Sequence, residues 1–135
     1  MPRIYRSMTP DGERPQIGNT ARSLGVRPTD IASNDEGKVY PGSGGMSVAP
    51  RWRELELHRI PSRLQHLVPD AAGSNRDRIW RMGDGPFEAS QIAERLWLRP
   101  DSEVHGVVEP DAAMSFKEYS HALGATREQW EIDEE

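Results

Sequence analysis

Three groups of side chains in this sequence have the chemistry to bind phosphates and to stabilise a charged sugar. Arg6 ends a β-prone stretch, and an arginine placed there can hold a pyrophosphate through bidentate hydrogen bonds. The glycine-rich run from Gly42 to Ser47 lets the backbone approach a ligand closely, and the Ser47 hydroxyl can hydrogen-bond a ribose. His105 and Glu109 share one face of a predicted strand. A carboxylate there can stabilise the positive charge that develops on a sugar when its glycosidic bond breaks.

Each of these groups is also typical of ordinary structure. A lone arginine at a strand end, a glycine-rich hairpin loop and a strand-end glutamate are all common in solvent. The glycine run is not a P-loop, because no Gly-Lys-Ser or Gly-Lys-Thr follows it, and it lacks the Gly-x-Gly-x-x-Gly dinucleotide motif. The four histidines lack metal-ligand spacing to a second ligand, so no metal is expected.

Short strands and turns must position these groups, because eleven prolines and twelve glycines interrupt the chain. Period-two and β-branched patterns predict strands at residues 38–40, 46–48, 79–82, 96–99 and 105–109, the last two ending before prolines. One helix is predicted after Ser115 as N-cap, with Gly124 as C-cap, and the tail from Glu131 to Glu135 is expected to be frayed or solvated. This pattern predicts an α+β fold of two small packed antiparallel sheets with a few short helices.

Length and composition exclude several classes of protein. The 135 residues fit one domain, spanning residues 1–135. The absence of cysteine excludes disulfides, thiolate zinc sites and a cysteine nucleophile. A net charge of -5 argues against a broad, non-specific nucleic-acid surface. No apolar run has membrane-spanning length and no signal-peptide h-region follows the N-terminus, so we expect a cytoplasmic protein with no membrane partner.

Several short motifs follow one another in an order that points to one family. The chain has Ile4-Tyr5-Arg6, Pro28-Thr29-Asp30-Ile31, an Asp-Glu-Gly turn at 35–37, Gly44-Gly45-Met46-Ser47-Val48, and a stretch from His105 to Met114 before a last helix near Trp130. Together these motifs resemble the type VI secreted bacterial toxins that have an ADP-ribosyltransferase-like fold. Residues 53–95 do not match, Met46 stands where the family has a hydroxyl residue, and Glu109 stands where it has no fixed glutamate.

The resemblance implies an enzyme, an NAD-dependent ADP-ribosyltransferase that acts as a toxin in the cytoplasm of a competing cell. NAD would be the substrate, and ADP-ribose would pass to a macromolecule, either protein or nucleic acid, or to water. A cognate immunity or antitoxin protein is expected as a partner. The residues expected to bind NAD are Arg6, Gly44, Gly45, Ser47 and His105. Those expected to act in catalysis are Ser47 and Glu109, the latter on the oxocarbenium-like transition state.

Three alternative functions remain open at the level of sequence. The first is a toxin RNase that uses His105 and arginines without NAD. The second is a catalytically silent interaction domain with the same fold. The third is an antitoxin-type binding protein, which the acidic tail suits and the glycine-rich strand does not.

Overall fold

The computed structural model describes residues 1–134 of the chain. In this range, short antiparallel strands and one α-helix are joined by turns and irregular segments. The strands are β1 (Ile4–Met8), β2 (Pro10–Asp11), β3 (Arg14–Pro15), β4 (Lys38–Val39), β5 (Met46–Val48), β6 (Arg78–Met82), β7 (Ser90–Ala93), β8 (Leu96–Pro100), β9 (Gly106–Pro110), β10 (Met114–Ser115) and β11 (Glu131–Ile132). The helix is α1 (Phe116–Gly124). Single 3-10 turns occupy Pro28–Asp30, Trp52–Glu54, Leu57–Arg59, Ser62–Leu64 and Arg127–Gln129.

Two larger sheets carry most of the pairing. One has the order β1-β6-β11 and the other β5-β9-β8-β7, while β10 pairs with β4 and β2 pairs with β3. Every one of these pairings is antiparallel. The predicted α+β class is therefore correct. The described residues form four sheets rather than two, because the two-stranded pairs are too short to show a period in the sequence.

Packing on both faces of the β1-β6-β11 sheet accounts for the burial of β1, whereas both residues of β11 are exposed. All five residues of β1 are buried. Ile4 and Met8 enter the main core, which also takes side chains from the four-stranded sheet and α1. Tyr5, on the opposite face, packs in a smaller cluster with Trp52 and residues of the 3-10 turns. Reciprocal backbone hydrogen bonds of 2.8 and 3.1 Å between Tyr5 and Ala49 join the two larger sheets.

The last helix begins where its capping signal predicts. The Ser115 side chain accepts a hydrogen bond from the Glu118 backbone N–H at 3.0 Å, and Glu118 bonds back to the Ser115 N–H at 3.1 Å. This capping box satisfies two donors that the first turn otherwise leaves open. Gly124, predicted as the C-cap, is instead the last helical residue, with Ala125 as the cap. None of the helices in residues 1–134 has the length and apolar character needed to cross a membrane.

Strand ends differ slightly from the sequence prediction. β8 and β9 each include the proline that was expected to stop them, Pro100 and Pro110. Both prolines pair at the ends of the β8–β9 ladder. A proline is tolerated there because a terminal residue does not need to donate to the ladder.

The acidic tail, predicted to be solvated, is exposed at Glu131 and Ile132 but held against the fold at Asp133 and Glu134; Glu135 lies outside the described residues. β11 adds to the edge of β6, and Asp133 Oδ2 accepts hydrogen bonds from Tyr5 and Arg81, each at 3.0 Å. The Glu134 carboxylate accepts hydrogen bonds from Arg63, from Arg78 and from the Ile79 N–H. Asp133 and Glu134, whose charges suggested an exposed tail, are therefore the residues that bind the tail to the rest of the fold.

This anchoring gives stability a defined pH dependence. Burial raises the pKa of Glu134, but the bonds from Arg63, Arg78 and the Ile79 N–H outweigh it, so its pKa lies below the usual range. Folding is therefore favoured when Glu134 is ionised. That contribution is complete above the ordinary glutamate pKa of about 4.3, and it is lost as the pH falls through the lower pKa of the folded state.

We expect Glu134→Gln to lower the free energy of unfolding at pH 7 by about 1–3 kcal/mol, because charge-assisted hydrogen bonds are lost. The deficit should shrink as the pH falls below about 4.3, where the wild-type carboxylate also becomes neutral. Urea unfolding at several pH values measures this. Glu131→Gln is the control, because Glu131 is 67% exposed and its ion pair with Arg81 is long, at 3.5 Å. Equal and pH-independent effects of the two variants would contradict the anchoring role.

Candidate functional site

The guanidinium of Arg6 is buried and held by backbone carbonyls. Its Nε donates to Ser23 at 3.1 Å, Nη2 to Ala21 and Gly25 at 3.2 Å each, and Nη1 to Ser47 at 2.9 Å. These bonds wrap the loop after β3 around the side chain and tie it to β5. The predicted pair Arg6 and Ser47 therefore meets in the fold, through the Ser47 carbonyl rather than its hydroxyl.

No carboxylate within residues 1–134 forms an ion pair with Arg6, although the residue is only 7% exposed. Burial, together with the positive charge of Arg59, lowers the pKa of Arg6 to about 10. The group stays charged at neutral pH. Nη1 makes one hydrogen bond within residues 1–134, so one of its two hydrogens has no protein acceptor there. The backbone carbonyls accept the hydrogen bonds of the Arg6 guanidinium but carry no net charge. The positive charge of Arg6 is therefore not cancelled, and a positive electrostatic potential remains around its guanidinium.

A cleft of about 200 Å³ opens beside this guanidinium, and we call it the Arg6 cleft. The polar and charged residues that line it are Arg6, Ser7, Arg27, Asp30, Ser47, Glu56 and Arg59. Hydrogen bonds from Arg27 lower the pKa of Asp30, so these two side chains largely neutralise each other. Arg59 has no carboxylate partner in the described part of the chain. The buried Ser7 hydroxyl also lacks a hydrogen-bond partner there.

A second buried charge secures the loop that surrounds Arg6. Asp77 is 3% exposed and accepts two hydrogen bonds from Arg22, at 2.7 and 2.8 Å. It also accepts one from the Thr9 hydroxyl at 2.7 Å. Arg22 lies within the loop, so Asp77 fixes the loop to β6. The carbonyls that bind Arg6 are consequently held before any ligand arrives.

Gly44 and Gly45 serve the backbone rather than the cleft. Gly44 has a φ of 120°, and a Cβ there would overlap the Asp30 carbonyl oxygen. An isolated β-bridge joins Gly44 to Ile31, next to the turn that lines the Arg6 cleft. A Cβ on Gly45 would lie 3.1 Å from the Tyr119 hydroxyl oxygen and closer still to the Val108 carbonyl. Both glycines, expected to bind NAD, therefore allow protein segments to pack tightly and do not line the cleft.

The structure does not bring Glu109 to the Arg6 cleft. Glu109 lines a separate cleft with Trp97 and Arg99 and is 0% exposed. Its Oε1 accepts a hydrogen bond from Arg99 Nε at 2.8 Å, and its Oε2 accepts one from the Gly42 N–H at 2.7 Å. Both oxygens are thus occupied, and one of them fixes the turn that precedes β5. These contacts are those of a residue that positions the glycine-rich loop.

His105 lies just before β9, outside both clefts. Its Nδ1 is 2.8 Å from each carboxylate oxygen of Asp101, and the side chain is 38% exposed. Sequence alternation correctly placed His105 and Glu109 near one strand. It did not indicate that the histidine pairs within its own turn.

Sequence reasoning missed Arg59, Arg27 and Glu56 as cleft residues. Arg59 and Glu56 belong to the stretch of 3-10 turns, which has no period to analyse. Arg27 precedes the Pro28–Asp30 turn and had no assigned role. The one usable signal was the density of arginines around Trp52, in Arg51, Arg53 and Arg59, in a chain with few lysines.

Comparison of the sequence with models of known families and with curated proteins finds no match.

The positioning role of Glu109 can be measured. Glu109→Gln keeps the side chain's shape and an acceptor for Gly42 but removes the charge that pairs with Arg99. We expect the free energy of unfolding to fall by about 1–3 kcal/mol, because a buried charge-assisted bond is weakened. In a double-mutant cycle with Arg99→Gln, the coupling energy should be about 0.5 kcal/mol or more. Strictly additive effects would show that the pair does not hold the turn.

Proposed function

We propose that the Arg6 cleft binds NAD and that the protein breaks the nicotinamide–ribose bond, passing ADP-ribose to a macromolecule or to water. The observation that carries this proposal is the buried, uncompensated charge of Arg6, with unpaired Arg59 lining the same cleft. A diphosphate supplies the negative charges that guanidinium groups bind best. The motif resemblance supports NAD as the source of this diphosphate. It also supports the proposal that the protein is a toxin with a macromolecular acceptor and a neutralising partner.

The size of the cleft limits which part of NAD it encloses. A volume of about 200 Å³ is below the roughly 300–1,000 Å³ of typical ligand pockets. The cleft therefore takes the diphosphate and the adjoining nicotinamide ribose. The adenosine lies across the rim, where it is exposed to solvent.

The residues of the cleft divide the work of binding and bond cleavage. The free Nη1 hydrogen of Arg6 and the guanidinium of Arg59 bind the phosphate oxygens. Ser47 is exposed on β5, and its hydroxyl is available to the nicotinamide ribose. When the bond breaks, its electron pair leaves with nicotinamide, and positive charge develops on the ribose C1′. The acceptor's nucleophilic atom, or water, then forms the new bond to C1′ and releases its proton to solvent.

A carboxylate close to C1′ would stabilise that charge. Asp30 and Glu56 both line the Arg6 cleft, but Asp30 is engaged by Arg27 through two hydrogen bonds. Glu56 has only a 3.3 Å contact with His58. We therefore assign the charge-stabilising role within this cleft to Glu56. Glu109, which the sequence suggested, supports the loop that leads into Ser47.

Arg59→Gln tests phosphate binding without disturbing the core, because Arg59 forms no ion pair in residues 1–134. Loss of one charged hydrogen bond to phosphate should raise the Kd for NAD about tenfold or more. Isothermal titration calorimetry measures this directly. Arg6→Ala is a poorer test, because it also releases the loop that surrounds Arg6.

The matched control is Arg76→Gln. Arg76 is exposed, likewise lacks a carboxylate partner in residues 1–134, and does not line the cleft. Its NAD affinity should equal that of the wild type. If both variants weaken binding equally, the effect is one of overall charge. If neither does, NAD does not bind against Arg59.

Substitutions of Glu56 and of Glu109 are expected to have different effects on the kinetics. Glu56→Gln should lower the rate of nicotinamide release by about tenfold, less than the roughly 10²–10³ usual for a charge-stabilising group in a site that excludes water. It should leave the free energy of unfolding nearly unchanged, because Glu56 is 71% exposed. Glu109→Gln should instead lower stability, and its effect on turnover should follow the loss of folded protein. A large rate loss in fully folded Glu109→Gln would restore the direct catalytic role that the sequence suggested.

A further inference from the structure

A second cleft includes the residues of the Trp52–Glu54 turn in its wall. We call it the Trp52 cleft; it has a volume of about 370 Å³ and is lined by Arg3, Tyr5, Arg51, Trp52, Arg53 and Glu54. None of these residues lines the Arg6 cleft. The Trp52 cleft is large enough for one nucleotide and has three arginines and two aromatic rings in its wall.

The charge of this cleft is not balanced within residues 1–134. Arg51 forms an ion pair with Glu54. Arg3 and Arg53 are exposed and have no carboxylate partner in that part of the chain. The five arginines without such a partner there are Arg3, Arg6, Arg53, Arg59 and Arg76. All but Arg76 line one of the two clefts. In a chain whose net charge is -5, this clustering is a local positive surface on an otherwise acidic protein.

The aromatic residues give the cleft a preformed planar element. The Arg53 guanidinium carbon lies 5.3 Å from the centroid of the Trp52 ring, a cation–π contact. Trp52 is 3% exposed, so the ring supports the guanidinium from below. Tyr5 is fixed by its hydrogen bond to Asp133. The Trp52 ring therefore supports one face of the exposed Arg53 guanidinium.

We propose that the Trp52 cleft binds single-stranded nucleic acid, with Arg3 and Arg53 on phosphates and an unstacked base against the Arg53 guanidinium. Arginine both pairs with phosphate and stacks on bases, and a supported guanidinium loses little freedom on binding. A single strand fits because its bases can turn out of the stack into a concave site, which duplex bases cannot do. An acidic peptide would use the charges but not the planar face.

This proposal does not depend on NAD binding, so the two are tested separately. The probe is a short, mixed-sequence, fluorescein-labelled RNA without NAD, and its binding is followed by fluorescence anisotropy at several salt concentrations. Each phosphate neutralised in a single strand contributes about -0.7 to the slope of log K against log salt concentration. Contacts from Arg3 and Arg53 predict a slope of about -1.4.

Arg53→Gln and Arg3→Gln should each weaken RNA binding and reduce the magnitude of that slope by about 0.7. Arg76→Gln, which removes an exposed charge outside both clefts, should bind RNA as the wild type does. NAD affinity of Arg53→Gln should match that of the wild type. Circular dichroism checks that each variant is folded, as expected for exposed side chains.

Three results would overturn the proposal. The first is no RNA binding by the wild type at the lowest salt concentration. The second is equal slopes for the wild type and Arg53→Gln. The third is that polyglutamate competes as well as unlabelled single-stranded RNA does, or that an RNA duplex binds as tightly as the single strand. Either result would mean that the cleft recognises charge alone.

Discussion

One buried charge, the guanidinium of Arg6, determines the geometry on which the proposed site depends. Removing a cation from water costs several kcal/mol unless polar groups replace the water. Here carbonyls of the loop after β3 and of Ser47 replace it. The loop must close around β1 for these bonds to form, and β5 must lie alongside. Because carbonyls offer partial charges only, the arrangement keeps a net positive charge beside a cleft.

Elsewhere, three buried or half-buried carboxylates hold distant segments of the chain together. Several strands are only two residues long and contribute few ladder hydrogen bonds. Asp77 fixes the loop around Arg6, Glu109 fixes the turn at Gly42, and Glu134 fixes the C-terminal strand. Each binds at least one arginine and one further donor. The arginines used in this way are neutralised, which leaves the few unpaired ones to define the two clefts.

Local signals in the sequence predicted local structure well. The N-cap at Ser115 and the strands at residues 79–82 and 96–99 are correct, because a short stretch of sequence determines them. The sequence also singled out Arg6 and Ser47, which do meet. What it missed depends on partners distant in the chain: the anchoring of Glu134, the bond from Gly42 to Glu109, and Arg59 in the Arg6 cleft. The spacing of residues along the sequence does not indicate which arginine will pair with which distant carboxylate, so these contacts could not be predicted.

The most direct measurement of the central claim is NMR of the arginine side chains of the ¹⁵N-labelled protein during titration with NAD. Binding in the Arg6 cleft predicts saturable shifts of the Arg6 Nε–H and of the Arg59 guanidinium signals, with Arg53 and Arg76 unchanged. The Arg6 signal is well suited to this, because its Nε–H is buried and hydrogen-bonded to Ser23. Shifts confined to Arg3 and Arg53, or no shifts at NAD concentrations in the millimolar range, would contradict the account.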